Sequence, residues 1–130
     1  MQASDKTPSL SGHRILIVED EPLVAYDLAD LISDLGGEVV GPAFVLTEAQ
    51  DLISKNHLDA ALLDIDLGND RVWPLALQLK THGTPFAFIS GQCNAEQLPK
   101  PFAGYECLEK PAAPERISAL AAQLCGVSAA

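Results

Sequence analysis

The chain predicts an α/β domain, a parallel β-sheet with helices packed on both faces. Two observations predict it. Short apolar runs rich in β-branched or aromatic residues alternate with longer segments of helical apolar spacing, five times within 130 residues. The polar residues that interrupt the apolar pattern, Glu19, Asp20, Asp64, Ser90 and Lys110, stand at strand ends. With right-handed crossovers, the C-terminal ends of parallel strands share one edge, so these side chains converge there.

Arg14-Ile15-Leu16-Ile17-Val18 reads as a strand buried on both faces, running straight into Glu19-Asp20-Glu21. Pro22 opens a helix in which Val24, Leu28, Leu31, Ile32 and Leu35 recur at helical spacing, and Gly36-Gly37 stops it. Glu38 to Pro42 is a second strand, placed near an edge by Pro42. Thr47-Glu48-Ala49-Gln50 has the capping-box pattern, with Leu52 and Ile53 as the apolar side of a second helix. Ala60 to Leu63 is a third buried strand, ended by Asp64 and followed by turn residues Gly68-Asn69-Asp70. Val72 to Thr81 is a third helix, and Phe86 to Ile89 a fourth strand ending at Ser90-Gly91. Asn94 to Leu98 predicts only a stub of helix, because Pro99 and Pro101 interrupt it. Tyr105 to Glu109 alternates as an edge strand should, ending at Lys110-Pro111. Pro114 opens the last helix, with Ile117, Leu120, Ala121 and Leu124 on its buried side and Gly126 closing it.

Composition narrows the function. Eighteen acids against eight Lys and Arg give a formal charge of −10, which opposes direct nucleic-acid binding. No window has the apolar length of a membrane helix, and Met1 to Gly12 has no signal-peptide core. Cys93, Cys107 and Cys125 are widely spaced and odd in number. They predict neither a zinc site nor a disulfide framework, and a reducing cytoplasm is the natural setting. Cys107 and Cys125 read as small core residues, Trp73 as surface packing beside the site, and His13, His57 and His82 as element-end residues.

Clustered carboxylates stay ionised together only with a counter-charge. Oxygen donors without His or Cys suit Mg²⁺, with Mn²⁺ as the alternative. A lysine and a hydroxyl facing such a metal suit the oxygens of a phosphoryl group, with Asp64 as the nucleophile. Taken alone, Glu19-Asp20-Glu21 is an acidic helix start favoured by the helix dipole, and in that context Glu21 is the one left as a capping acid.

Four segments carry a family resemblance: Ile17-Val18-Glu19-Asp20-Glu21-Pro22, Leu62-Leu63-Asp64-Ile65-Asp66-Leu67, Ile89-Ser90-Gly91 and Leu108-Glu109-Lys110-Pro111. Together, from Arg14 to Gly126, the chain resembles the receiver domains of two-component response regulators. The resemblance implies the flavodoxin-like (βα)5 fold, doubly wound, with strand order 2-1-3-4-5, here with a short or irregular fourth helix. It implies Asp64 as phosphoacceptor for a sensor histidine kinase or histidine phosphotransferase. Glu19, Asp20, Asp64 and the main-chain carbonyl of Asp66 are implied as metal ligands, the Asp66 side chain pointing outward. Ser90 is implied as the switch hydroxyl that moves toward the phosphate, and Lys110 as the phosphate-binding lysine. The change then reaches the fourth and fifth strand-helix surface. Asp66 and Gln92 flank the path of hydrolytic water, which predicts a phosphoryl lifetime of minutes or less. Where the family carries an aromatic switch residue this chain has Cys107, with Tyr105 two residues before it, so the readout departs from the usual one. Phe88-Ile89-Ser90-Gly91-Gln92 is similar to the FAT GUY motif of single-domain receivers from alphaproteobacteria linked to general stress signalling, with Ser for Thr and Gln in the last place.

The expected organisation is a flexible segment 1–11, a receiver domain 12–126 and a tail 127–130. With no output domain or DNA-binding helix-turn-helix in the sequence, the expected action is contact with an unknown downstream protein or a phosphorelay, not enzymatic turnover. Two rivals remain: a pseudo-receiver that binds without phosphorylation, and a phosphatase of the haloacid-dehalogenase type, suggested by Asp64-Ile65-Asp66. The second family carries that motif on its first strand, whereas here it follows the third.

Overall fold

The computed structural model describes residues 8–94 and 98–127. The chain runs through β1 (Arg14–Val18), α1 (Pro22–Asp34), β2 (Glu38–Ala43), α2 (Leu46–Lys55) and β3 (Ala60–Asp64). A small hairpin of β4 (Asp66–Leu67) and β5 (Asp70–Arg71) follows, then α3 (Trp73–His82) and β6 (Phe86–Ser90). A 3-10 turn at Lys100–Phe102, β7 (Cys107–Glu109) and α4 (Pro114–Leu124) complete it. The main sheet is parallel throughout, in the order β2-β1-β3-β6-β7. In counted strands this is the 2-1-3-4-5 order of the flavodoxin-like fold, with β2 and β7 at the edges.

Alternation along the central strands explains the two helical layers. Leu16, Val18, Ala61, Leu63, Phe86 and Phe88 face one core, covered by α2 and α3. Ile15, Ile17, Leu62, Ala87 and Ile89 face the other, covered by α1 and α4. A strand that buries both faces must be apolar at every position, and β3 and β6 are buried along their whole length. Asp64 and Ser90 are the two polar residues in those strands, each at the last position.

Several local expectations are corrected. Thr47 does not cap α2. Its N-cap is Val45, and the Glu48 carboxylate instead accepts the Phe44 N–H at 3.0 Å. Glu21 occupies the α1 N-cap without a side-chain cap, and its N–H is taken by Glu19 Oε2 at 3.0 Å. The fifth sheet strand begins at Cys107, not Tyr105, because Tyr105 turns into the core to stack on Phe86 (4.5 Å, 18°). Trp73 is packing, but inward: it stacks on Phe102 (5.7 Å, 16°) and meets Phe88 edge-on. The stub at Asn94 to Leu98 falls partly on residues 95–97, outside the described residues.

The cysteine expectation is also corrected. Cys93 and Cys107 form a disulfide, leaving Cys125 as the free thiol. Cys107 is therefore not a free core residue but half of a covalent tie at the sheet edge. Parallel pairing sets Cys107 beside Phe88, and the chain leaving β6 turns back over that strand end, giving a Cα–Cα distance of 5.6 Å. No spacing rule reveals such a pair, because the register creates it.

Candidate functional site

Register assembles the site. Val18 pairs with Leu63, so Glu19 emerges level with Asp64. Asp64 pairs with Ile89, which puts Ser90 one residue beyond it on the neighbouring strand. Ser90 pairs with Glu109, so Lys110 follows on the edge strand, its N–H donated to the Ser90 carbonyl at 2.8 Å.

Glu19, Asp64 and Ser90 are buried, whereas Asp20 is exposed. One carboxylate oxygen from each of Glu19, Asp20 and Asp64 lies within 4.8 Å of the others. The Lys110 ammonium reaches across this cluster, 2.6 Å from Glu19 Oε1 and 3.3 Å from Asp64 Oδ2. Backbone N–H groups hold three further oxygens. Glu19 Oε2 takes the Glu21 N–H, Asp20 Oδ2 takes the Gly68 N–H at 3.0 Å, and Asp64 Oδ1 takes the Asp66 N–H at 3.4 Å. Gly68 supplies its N–H from a left-handed backbone (φ +66°), a conformation that glycine adopts without penalty.

Burial pushes the Asp64 carboxyl up from 3.8 to about 7; the Glu19 charge adds to this and Lys110 opposes it. Burial also pulls the Lys110 ammonium down, but the hydrogen bond to Glu19 and the charges of Asp64 and Glu19 outweigh it, and its pKa ends raised. One cation thus serves two buried acids. Among the described residues this is the group of acids whose oxygens lie close enough together to share a metal ion. An all-oxygen donor set with excess negative charge fits a hard divalent cation such as Mg²⁺.

The other expected site residues are placed as follows. The Asp66 side chain points outward and pairs with Arg71 at 3.0 Å. Ser90 Oγ accepts the Gln92 N–H at 3.4 Å. Cys107 stands two pairings before Glu109 on β7, in the disulfide. Three participants went unforeseen: the Gly68 N–H, the Glu109 carboxylate, which accepts the Cys93 N–H at 3.2 Å, and Cys93 itself. Only Gly68 left a signal, as a glycine in turn chemistry four residues after Asp64.

A parallel five-stranded sheet that closes three acids, a hydroxyl and a lysine onto one rim is the receiver arrangement. No family model matches the chain. It is similar to the phyllosphere-induced regulator PhyR of Methylorubrum extorquens, at 36% identity over 118 residues covering 84% of this chain. The chain spans 42% of the length of that relative. The solution structure of SdrG from Sphingomonas melonis Fr1 matches with a TM-score of 0.74 and 32% identity, over 86% of this chain and 95% of that one. The response regulator PhyR from Brucella abortus superposes with a TM-score of 0.78 and 28% identity, covering 95% of this chain and 51% of that one. The chain belongs to the receiver domains of two-component response regulators, with PhyR and SdrG among its relatives. No helix among the described residues is long and apolar enough to cross a membrane.

Proposed function

We propose that the chain accepts a phosphoryl group on Asp64 from a histidine kinase or histidine phosphotransferase, with Mg²⁺ bound, and signals through altered protein contact or a relay. The observation that carries this reading is Lys110 bridging Glu19 and Asp64 beside a third acid, Asp20. Glu19, Asp20, Asp64 and the Asp66 carbonyl would hold the cation, and Mn²⁺ would substitute. When bound, it supplies positive charge that keeps Asp64 ionised near neutral pH and neutralises phosphoryl oxygens.

An Asp64 carboxylate oxygen attacks phosphorus. The P–N bond of the donor phosphohistidine breaks, its electrons stay on the imidazole, and an aspartyl phosphate forms. Lys110, with a proton to donate and little distance to travel, takes up a phosphoryl oxygen as Asp64 loses its charge. Ser90 gives up the Gln92 N–H contact and donates its hydroxyl to another oxygen. Asp66 and Gln92 orient the water that later hydrolyses the acyl phosphate, which gives a lifetime of minutes or less. The protein is a phosphoacceptor and not a turnover enzyme. Asp66 supports this, because its side chain pairs with Arg71 on the outside instead of standing beside Asp64 as a second acid.

Beside Lys110, a groove of about 690 Å³ runs between α1 and α4. Its floor includes Leu28, Leu31 and Ile117, and Asp27, Asp30 and Asp34 line its rim. It offers a donor protein an apolar seat beside Lys110. Relatives named PhyR include one described as an anti-anti-sigma factor, from Bartonella quintana. A downstream protein of stress signalling is the partner class this suggests for the present chain.

Incubation with Mg²⁺ and acetyl phosphate or phosphoramidate, followed by intact mass, tests the reading. The expected result is an adduct of one phosphoryl group that is absent in Asp64→Asn and without Mg²⁺. Absence of any adduct from the native protein would instead favour the pseudo-receiver. Release of phosphate from a monoester far beyond one equivalent would favour the phosphatase.

A further inference from the structure

We propose that Cys93 and Cys107 form a redox modification site that controls how readily Ser90 follows a phosphoryl group on Asp64. The proposal rests on the receiver reading above and adds a second chemical input to the same rim. Cys93 lies three residues beyond Ser90, on the segment whose Gln92 N–H the Ser90 hydroxyl accepts and must give up when it turns to another partner. Three of its contacts hold that segment back. Gln92 N–H donates to Ser90 Oγ at 3.4 Å, Cys93 N–H donates to Glu109 Oε1 at 3.2 Å, and Cys93 Sγ is bonded to Cys107 Sγ. Two of these are hydrogen bonds at a half-open surface and exchange readily with water. The third is covalent, and a bound phosphate cannot displace it.

The tie also reaches the rest of the edge. Cys107 opens β7, two pairings before Glu109 and three residues before Lys110. With a sequence separation of 14, the bond closes a ring that includes the 3-10 turn at Lys100–Phe102. Cys93 and Cys107 line a surface cavity of about 310 Å³, together with Asn94, Leu98, Ala103, Gly104 and Tyr105. Cys93 and Cys107 are each only partly buried, so an external thiolate has an approach. Cys125 contrasts with them: burial, reinforced by the Asp59 charge, holds its thiol above the usual range and makes it a poor nucleophile.

The step balances with a dithiol reductant. One thiolate of the dithiol attacks a sulfur of the pair, forming a mixed disulfide, and the other cysteine leaves as thiolate. The second thiolate of the dithiol then displaces the remaining cysteine. The dithiol is oxidised to its own disulfide, two electrons pass to the pair, and Cys93 and Cys107 end as thiols after taking two protons. The oxidised state restrains the Ser90 segment, whereas the reduced state frees it.

Alkylation and phosphorylation of the whole chain, before and after dithiothreitol, test the proposal. Denaturing alkylation of the air-equilibrated protein is expected to label Cys125 alone, and all three cysteines after reduction. Labelling of all three before reduction overturns the proposal. With Mg²⁺ and phosphoramidate, the reduced protein is expected to gain its adduct about fivefold faster, equivalent to about 1 kcal/mol off the barrier. Cys93→Ser should match the reduced rate with and without dithiothreitol. Equal rates for oxidised and reduced protein, both forming adduct, overturn the coupling and leave the receiver reading standing. No adduct in either state sinks the receiver reading, and the coupling with it. Amide exchange of residues 91–94, faster on reduction with no phosphoryl donor present, is expected in addition. Unchanged exchange counts against the proposal.

Discussion

Asp59 and Asp64 stand five residues apart, one just before β3 and one at its last position, and they behave as opposites. Asp59 Oδ2 accepts the Arg14 N–H at 2.8 Å and Oδ1 contacts His57 at 3.1 Å. The Arg14 backbone N–H holds its carboxyl below the usual value, against a smaller cost of burial. Asp64 is deeper, and burial drives its carboxyl up to about 7. The same residue type thus anchors the sheet at one edge and loads it at the other. What differs is whether burial is matched by hydrogen-bond donors. Asp59 receives a backbone N–H at 2.8 Å, whereas Asp64 receives a longer one at 3.4 Å and must share Lys110 with Glu19. The edge at Asp59 satisfies its acid; the edge at Asp64 leaves its acids room for more positive charge.

The largest expected effect breaks the loaded side. Asp64 carries a raised pKa in the folded state, so folding binds its proton more tightly than the unfolded chain does. Its contribution to stability therefore falls as pH rises from about 3.8 towards about 7. Asp64→Asn removes that cost while keeping the shape. The variant is expected to be about 2 kcal/mol more stable than the native chain at pH 8, less than the full shift implies because Asn loses the Lys110 contact. The gain should shrink at pH 5, and Mg²⁺ should shrink it at pH 8 by stabilising the native acid cluster. Denaturant midpoints at the two pH values measure it. A variant that is less stable at pH 8 would place Asp64 with the anchors.

The anchoring side gives a smaller effect of opposite sign. Asp59→Ala leaves the Arg14 N–H without its acceptor and is expected to cost about 1.5 kcal/mol at pH 7. Because the Asp59 pKa is lowered by folding, its contribution is present above 3.8 and lost as pH falls through the folded value. The difference between variant and native chain should therefore narrow in acid, where that for Asp64→Asn also vanishes. Thermal unfolding across pH 3 to 7 reads the trend. A cost that stays constant into acid would assign it to packing and not to the charge.

Much of this contrast could be read before any coordinates. The wholly apolar runs around Leu16, Leu62 and Phe88 fix central strands, because only a strand covered on both faces excludes polar residues at every position. The same logic brought Glu19, Asp20, Asp64, Ser90 and Lys110 to one rim, since a polar residue ending such a run has only the rim to occupy. Features created by register were not legible. The Gly68 N–H meets Asp20 across 48 positions, and the Cys93–Cys107 bond depends on the chain turning back over β6. Nor did a local pattern such as Thr47 to Gln50 fix its own helix start, because the entry of α2 is set two residues earlier by Val45.

The smallest effect sharpens the comparison at the loaded edge, where a backbone donor is supplied at a conformational cost. Gly68 adopts φ +66°, and a Cβ added there would meet nothing within 4 Å. Gly68→Ala therefore introduces no clash, only the penalty of a left-handed L-residue, about 1 kcal/mol. Because that N–H fixes Asp20 Oδ2, any relaxation of the turn also loosens one of the three clustered carboxylates. Weaker Mg²⁺ binding, by a few-fold, is expected alongside the stability loss. Gly68→Asn separates the two causes, since Asn tolerates the left-handed region at lower cost. It should recover most of the stability and the Mg²⁺ affinity together. Recovery of stability without affinity would show that the Asp20 contact does not depend on the turn, and the edge would then owe its charge arrangement to the side chains alone.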